Sequence, residues 1–288
     1  SAENRSWLAK SVWMNSACSF LVRVSTPFIE SNYIFASTWD PAVFATDPTT
    51  NLLNRFDGTG AVGFASTGLT RSNYLVLIAS EVDFWKTKQD ANGAIIDPYR
   101  GVETQYSTPA FANAAAALVV YAGRNDLLEP AAKAMDWASL RLHDNAGADG
   151  HDDFYPPMLA HTLRLLSSLV APSRAATWQA NLTFDPYAIY DYAPGTFNWT
   201  MVASGGEALL QLMGIRSTNN TYVTEVWAAQ GFHFLTPYGL YMEGPMCYDI
   251  FPRVFVTDAL QQGYTGPYSA EMQAAPGRLA SSIVRESS

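Results

Sequence analysis

One glycine-rich segment brings together the residues of this chain best suited to acid–base chemistry. The segment HDNAGADGHDDFYPP places His151 directly before Asp152 and Asp153. An imidazole titrates near neutral pH and can accept or donate a proton, and neighbouring carboxylates can orient it or act as acids themselves. The same side chains could bind a metal, but no further ligand follows at a suitable spacing. We therefore favour His151 as a proton-transfer group and expect neither a metal nor a cofactor.

Five long loops share this mixture of glycine, aromatic and acid or amide residues. They centre near Asp57, Asp97, Gly150, Asp191 and Gly244, at intervals of roughly 40 to 53 residues, the period expected of stacked helix pairs. Helix pairs joined by such loops place all the loops at one end of the stack, and a rim of this composition is typical of a sugar-binding cleft. The candidate glycan contacts on this rim are Arg55, Tyr106, Asp153, Trp199, Tyr241 and Glu243.

The segments between the loops carry the apolar spacing of amphipathic or buried helices. Thr108 and Asp152–Asp153 are candidate N-caps, and Gly123 is a candidate helix end. Gly205 and Gly206 lie inside one predicted helix, which indicates close approach of another backbone. The predicted helices cover 73–88, 108–122, 127–142, 154–170, 199–213, 222–230, 248–262 and 269–286. No segment alternates with a period of two, so we predict an all-α fold, helical hairpins curved into an (α/α) toroid, as one domain over residues 1–288.

Composition excludes several classes of function. The chain has 288 residues, of which 48% are hydrophobic and 15% charged, so it can bury a substantial core. A formal net charge of −9 repels polyanions, so nucleic acid is not an expected partner. No apolar run approaches the length of about 18 residues that a membrane span needs. The sequence carries no signal for an oligomeric state.

Four Asn-x-Ser/Thr triplets, at Asn4, Asn181, Asn198 and Asn219, indicate export and N-glycosylation. Cys18 and Cys247 lie near opposite ends of the chain. In a closed ring of helices the first and last pairs are neighbours, which would allow a disulfide between these two cysteines. Two buried free thiols are the alternative.

Three segments carry a resemblance to a known family. The runs GHDDFYPPMLAHTLRLL, FNWTMVASGGEALLQLMGI and GLYMEGPMCYDIFPRVFVTDALQQGYTGPY resemble the toroid domain of heparinase-like polysaccharide lyases and related glycan-degrading proteins. The similarity covers the last two thirds of the chain, in the order and character of its loops. It implies an extracellular enzyme that cleaves a uronate-containing glycan by β-elimination. Proteins of this family commonly have a β-sandwich domain after the toroid, so either such a domain follows residue 288 or this protein departs from that architecture.

The resemblance implies specific roles. Elimination removes the proton at C5 of a uronate and expels the oxygen at C4, so the carboxylate must be neutralised and a base must act. Asn198, in the FNW motif, would neutralise the carboxylate, and Tyr248 or His151 would transfer the proton. Arg253 could bind the carboxylate. Asn198 could instead cap a helix or carry a glycan, Tyr248 could simply line the cleft, and Arg253 could pair with Asp249 one turn away.

Two other functions stay open. Glycoside hydrolysis needs two carboxyl groups flanking the bond, and Asp152, Asp153, Glu243 and Asp249 are candidates. The run DDFYPPMLA also resembles the acidic loop of unsaturated-glucuronyl hydrolases, which share the toroid. A non-catalytic glycan-binding or structural glycoprotein could keep the same fold without the acid–base groups.

Overall fold

The computed structural model of the chain describes residues 70–195, 197–217, 221–230 and 247–273, with the backbone alone at residues 71 and 247–250. Over these ranges the fold is all-α, as predicted. Within them, two isolated antiparallel β-bridges pair Gln89 with Ile95 and Ile96 with Glu103. The helices are α1 Arg71–Lys86, α2 Ser107–Ala122, α3 Leu128–His143, α4 Tyr155–Leu166, α5 Pro172–Asn181, α6 Pro186–Ile189, α7 Asn198–Leu212, α8 Tyr222–Ala229 and α9 Cys247–Gln261.

Four helices, α2, α4, α7 and α9, form a series in which each packs on the next, and we call them the inner helices. Helix α2 packs on α4, α4 on α7, and α7 on α9. Helix α3 packs against α2 and α4, α5 against α3 and α4, and α8 against α7. The inner helices are correspondingly apolar and buried: in α7, every residue from Thr200 to Leu210 is buried. No helix within the described ranges is long and apolar enough to cross a membrane.

The glycine pair in α7 lets three inner helices approach closely, as the sequence predicts. A Cβ on Gly205 would lie 2.7 Å from the backbone carbonyl carbon of Phe255 in α9. A Cβ on Gly206 would lie 2.6 Å from the backbone nitrogen of Pro157 in α4. Both distances are too short for any side chain, so the absence of Cβ at these positions sets the spacing of α4, α7 and α9.

A buried ion pair fixes the far end of α7. Arg216 donates from Nε and Nη2 to the carboxylate of Glu207, at 2.6 and 2.9 Å. The Tyr190 hydroxyl donates to the same carboxylate at 2.5 Å. Arg216 also donates to the carbonyl of Phe184, and its guanidinium lies 4.2 Å from the centroid of that ring. Because Glu207 is fully buried, it needs all of these partners to remain inside the core.

Several local predictions were wrong. Thr108 does not cap α2: the helix begins at Ser107, and the Thr108 hydroxyl instead accepts a hydrogen bond from the Ile95 backbone N–H at 3.0 Å. Asp152 and Asp153 do not cap α4, where Phe154 occupies the N-cap position without a side-chain hydrogen bond. The predicted end of α2 at Gly123 is confirmed, and Gly123 is left-handed there, with φ of 68°.

The region after α4 also differs from the prediction. Helix α4 ends at Leu166 instead of continuing to residue 170, and α5 starts at Pro172, which suits a first helical turn. Only Ala175 and Trp178 of α5 are buried, so its apolar stripe is too narrow to stand out in the sequence. The last predicted helix, 269–286, lies largely outside the described residues.

Candidate active site

Three of the five long loops meet where they lead into α2, α4 and α7. The carboxylate of Asp149, in the loop before α4, accepts hydrogen bonds from the Gln105 backbone N–H at 3.1 Å and from Arg100 Nη1 at 3.3 Å. The Asp191 backbone N–H donates to Asp153 Oδ2 at 3.3 Å. These contacts link the loops 87–106, 144–154 and 190–195 into one surface, which we call the loop face. The loops near Asp57 and Gly244 lie outside the described residues.

Aromatic rings from four helix starts form the centre of the loop face. The His151 ring centroid lies 4.4 Å from that of Trp199, 5.6 Å from Phe154 and 6.1 Å from Tyr106. Phe154 also stacks on Tyr106 at 4.9 Å and on Phe251 of α9 at 6.1 Å. Two predicted glycan contacts, Tyr106 and Trp199, are therefore brought together around the predicted proton-transfer group. Both rings are half-buried, so each keeps an accessible part.

The hydrogen bonding of His151 defines its tautomer. Its Nδ1 lies 2.8 Å from the backbone carbonyl oxygen of Asp149. A carbonyl can only accept, so Nδ1 must carry the proton. The neutral ring therefore has its lone pair on Nε2, which makes no hydrogen bond to the residues that the structure describes. The unprotonated Nε2 of an imidazole held in this way is able to accept a proton.

Asp149 holds His151 through an unusual backbone conformation. Its φ of 57° and ψ of 21° are left-handed, a region in which aspartate is among the few tolerated side chains. The carboxylate, anchored by Arg100 and the Gln105 N–H, keeps the residue in that conformation. Neither Asp149 nor Arg100 was predicted from the sequence. An Asp directly before a glycine, as in GADGHDD, is a turn signal that points to such a conformation.

Asp152 and Asp153 are buried below this surface instead of lining it. Asp152 is 2% exposed and accepts from the Gly147 N–H at 3.0 Å, while Asp153 is fully buried. Burial, reinforced by the nearby carboxylate of Asp191, raises the pKa of Asp152 to about 6 and that of Asp153 to about 7. Oδ1 of Asp153 has no hydrogen-bond partner among the described residues. Neither carboxyl is positioned to contact a substrate directly.

Other acids of the loops have structural roles. Asp90 accepts through Oδ1 from the backbone N–H groups of residues 92, 93 and 94, and Asp97 accepts from those of residues 99 and 100. Such turns hold loops of irregular shape together. Their carboxylates are thus committed to the backbone, and that of Asp149 is bound by the Gln105 N–H and Arg100, whereas Asp191 is an exposed acid next to Gly150.

Two of the residues assigned by resemblance are buried. Asn198 is 5% exposed and is the first residue of α7, with Phe197 at the N-cap position, so Asn198 is not the helix cap. Such burial disfavours a glycan on Asn198. Arg253 is 2% exposed in α9, so a substrate carboxylate would reach it only if the side chain moved. Asn198 is adjacent in sequence to Trp199 and therefore lies close to the ring cluster.

Several predicted residues fall outside the described part of the chain. These are Arg55, Tyr241, Glu243, Cys18, Asn4 and Asn219, together with the side chains of Cys247, Tyr248 and Asp249. The proposed disulfide, the Asp249–Arg253 pair and the role of Tyr248 therefore stay predictions. Asn181, at the end of α5, is half-buried and donates to the Ser139 hydroxyl at 3.1 Å.

No group of three or more His, Cys, Asp or Glu side chains that could hold a metal ion occurs among the described residues. Comparisons of the chain with protein-family models, with curated proteins and with solved structures each found no match. Functional assignment therefore depends on the residues themselves and on the geometry of the loop face.

Proposed function

We propose that this protein is an extracellular polysaccharide lyase that cleaves a uronate-containing glycan by β-elimination, with its site on the loop face. The observation that carries the proposal is the state of His151. Its Nδ1–H is committed to a backbone carbonyl, its Nε2 lone pair is available, and it lies near two aromatic rings suited to stacking on sugars. The serial packing of α2, α4, α7 and α9, with α3, α5 and α8 packed against members of that series, supports an (α/α) toroid as the scaffold.

In the proposed reaction, His151 Nε2 removes the proton from C5 of a uronate bound against Trp199 and Tyr106. The electrons of the C5–H bond form the C4–C5 double bond, and the C4–O bond breaks. The departing oxygen takes a proton, delivered by Tyr248 or by the protonated His151. Asn198 would neutralise the uronate carboxylate, as the family resemblance implies.

Hydrolysis is the second candidate, favoured by one observation. A general acid needs a raised pKa, and the pKa of Asp153 is about 7. Its complete burial counts against a direct role. Glycan binding without catalysis is the third candidate, and it requires that no cleavage of either kind occurs.

The test is a comparison of two histidine variants of the full-length protein on a panel of uronate polysaccharides. His151→Gln removes the base, so turnover should fall by about 10²-fold or more. His143→Gln is the matched control, because His143 is exposed at the end of α3 and eight residues away in sequence. Cleavage is followed by the ultraviolet absorbance of the conjugated double bond and by new reducing ends.

Three outcomes would contradict the proposal. Full activity of His151→Gln would remove His151 as the base, and loss of activity in Tyr248→Phe would then assign proton transfer to Tyr248. New reducing ends without absorbance would indicate hydrolysis. Binding without either signal would indicate a non-catalytic glycan-binding protein.

A further inference from the structure

A pocket lies at the opposite end of the inner helices from the loop face. Its volume is about 220 Å³. One wall is apolar and comes from the end of α7, with Leu209, Leu212 and Met213; the other is polar, with His161 and Arg164 of α4 and Gln262 after α9. Leu209 is ten residues beyond Trp199 on α7, a rise of about 15 Å, so the pocket is separate from the proposed active site.

The polar wall is a connected chain of hydrogen bonds. Arg164 Nη2 lies 3.1 Å from His161 Nδ1, and Nη1 donates to Gln262 Oε1. A guanidinium can only donate, so Nδ1 accepts and the proton of His161 is on Nε2, which donates to Asp258. His161 is therefore neutral in this arrangement, with both of its ring nitrogens hydrogen-bonded.

This arrangement leaves the charge of Arg164 without a directly bound carboxylate within the described part of the chain. The two partners of its guanidinium there, His161 and Gln262, are both neutral acceptors. The acid nearby, Asp258, interacts with Arg164 electrostatically, but its hydrogen bonds are to His161 and Gln262. Although burial opposes its ionisation, the hydrogen bond from His161 holds the pKa of the Asp258 carboxyl below its usual value. Arg164 thus presents remaining N–H donors and a positive charge beside an apolar wall.

We propose that this pocket binds a small monocarboxylate with an apolar body. The carboxylate would accept hydrogen bonds from Arg164, and the apolar body would lie against Leu209, Leu212 and Met213. A guanidinium suits a carboxylate because its planar donors match the two oxygens. The volume corresponds to about seven water-sized groups, so the ligand is of the size of a short-chain fatty acid or a small aromatic acid. The site is independent of the glycan chemistry at the loop face.

The proposal is tested by titrating the full-length protein with hexanoate and following the Met213 methyl resonance by NMR, assigned through Met213→Leu. Hexanoate should give a saturable shift, and hexanol, which lacks the charge, should bind at least about tenfold more weakly. Arg164→Gln should weaken hexanoate binding by about tenfold or more. Arg124→Gln is the matched control, because Arg124 pairs with Asp83 and Asp126 elsewhere.

A second variant tests the same pocket at an exposed position, where a substitution should leave the fold intact. Leu212 is 43% exposed, so Leu212→Glu should fold and should repel the carboxylate from the pocket. Equal binding of hexanol and hexanoate would show a purely apolar pocket and overturn the proposal. The proposal would also fail if Arg164→Gln bound hexanoate with the affinity of the unaltered protein, or if hexanoate gave no saturable shift of the Met213 resonance. In those cases Arg164 serves only to complement the C-terminal end of α4.

Discussion

Replacing Asp153 by Asn should stabilise the protein at alkaline pH and leave its stability at acidic pH nearly unchanged. Asp153 is fully buried, and no described residue provides a hydrogen-bond partner for its Oδ1. Burial, with the carboxylates of Asp191 and Asp152, raises its pKa from the usual 3.8 to about 7. An asparagine keeps the oxygen that accepts from the Asp191 N–H and resembles the protonated acid in shape.

The direction of this pH effect follows from the difference in proton binding between the folded and the unfolded state. Between about pH 4 and pH 7 the folded protein holds a proton on Asp153 that the unfolded chain has released, so the free energy of unfolding falls as pH rises through this range. Each pKa unit is worth about 1.4 kcal/mol, so a rise of roughly three units corresponds to up to about 4 kcal/mol above pH 7. Asp153→Asn removes the cost of ionising this buried group. The variant should therefore regain most of the lost free energy of unfolding at about pH 8.

Urea unfolding followed by tryptophan fluorescence at about pH 4, 6 and 8 measures the effect. Asp144→Asn is the control, because Asp144 is exposed at the end of α3. It should follow the pH dependence of the unaltered protein. If Asp153→Asn were no more stable than the unaltered protein at about pH 8, the carboxylate would be well satisfied in its charged form, and the reasoning would be refuted.

Two further variants test what holds the inner helices together. Glu207→Gln leaves Arg216 buried without its counter-charge and should lower the free energy of unfolding by about 3–5 kcal/mol, measured in urea at neutral pH; a change below about 1 kcal/mol would show that the pair is dispensable. Gly206→Ala forces a methyl group against the Pro157 backbone and should cost about 1–3 kcal/mol. Gly195→Ala, where the nearest atom would be 3.5 Å away, is its control, and equal effects of the two would contradict close packing at Gly206.

The sequence predicted the helical scaffold well because its signals are local. Apolar periodicity located α1, α2, α3 and α7 to within two residues at either end. The glycine pair in α7 predicted close helix packing, because glycine weakens a helix and is favoured in a buried one where a neighbouring backbone leaves no room for a Cβ. The short helices α5 and α6 were missed because little of their surface is buried. Their sequences therefore carry only a weak apolar pattern.

The site was predicted only in part, because hydrogen-bond partners and burial depend on residues distant in sequence. His151, Tyr106 and Trp199 were selected from three different loops, and the structure brings their rings together. Asp153 was expected to face a ligand but is fully buried. Asp149 was missed because it acts on His151 through its backbone carbonyl; the Asp-Gly pair indicates a turn there but not which group that turn holds.

The most direct test of the central claim is the mass of the oligosaccharides released from a uronate polysaccharide by the full-length protein. β-Elimination adds no water, so each fragment that begins with a newly formed non-reducing end should be one water lighter than the hydrolytic fragment of the same length. We expect these lighter, unsaturated fragments, and we expect His151→Gln to release about 10²-fold fewer of them. Fragments with the full hydrolytic mass would contradict β-elimination.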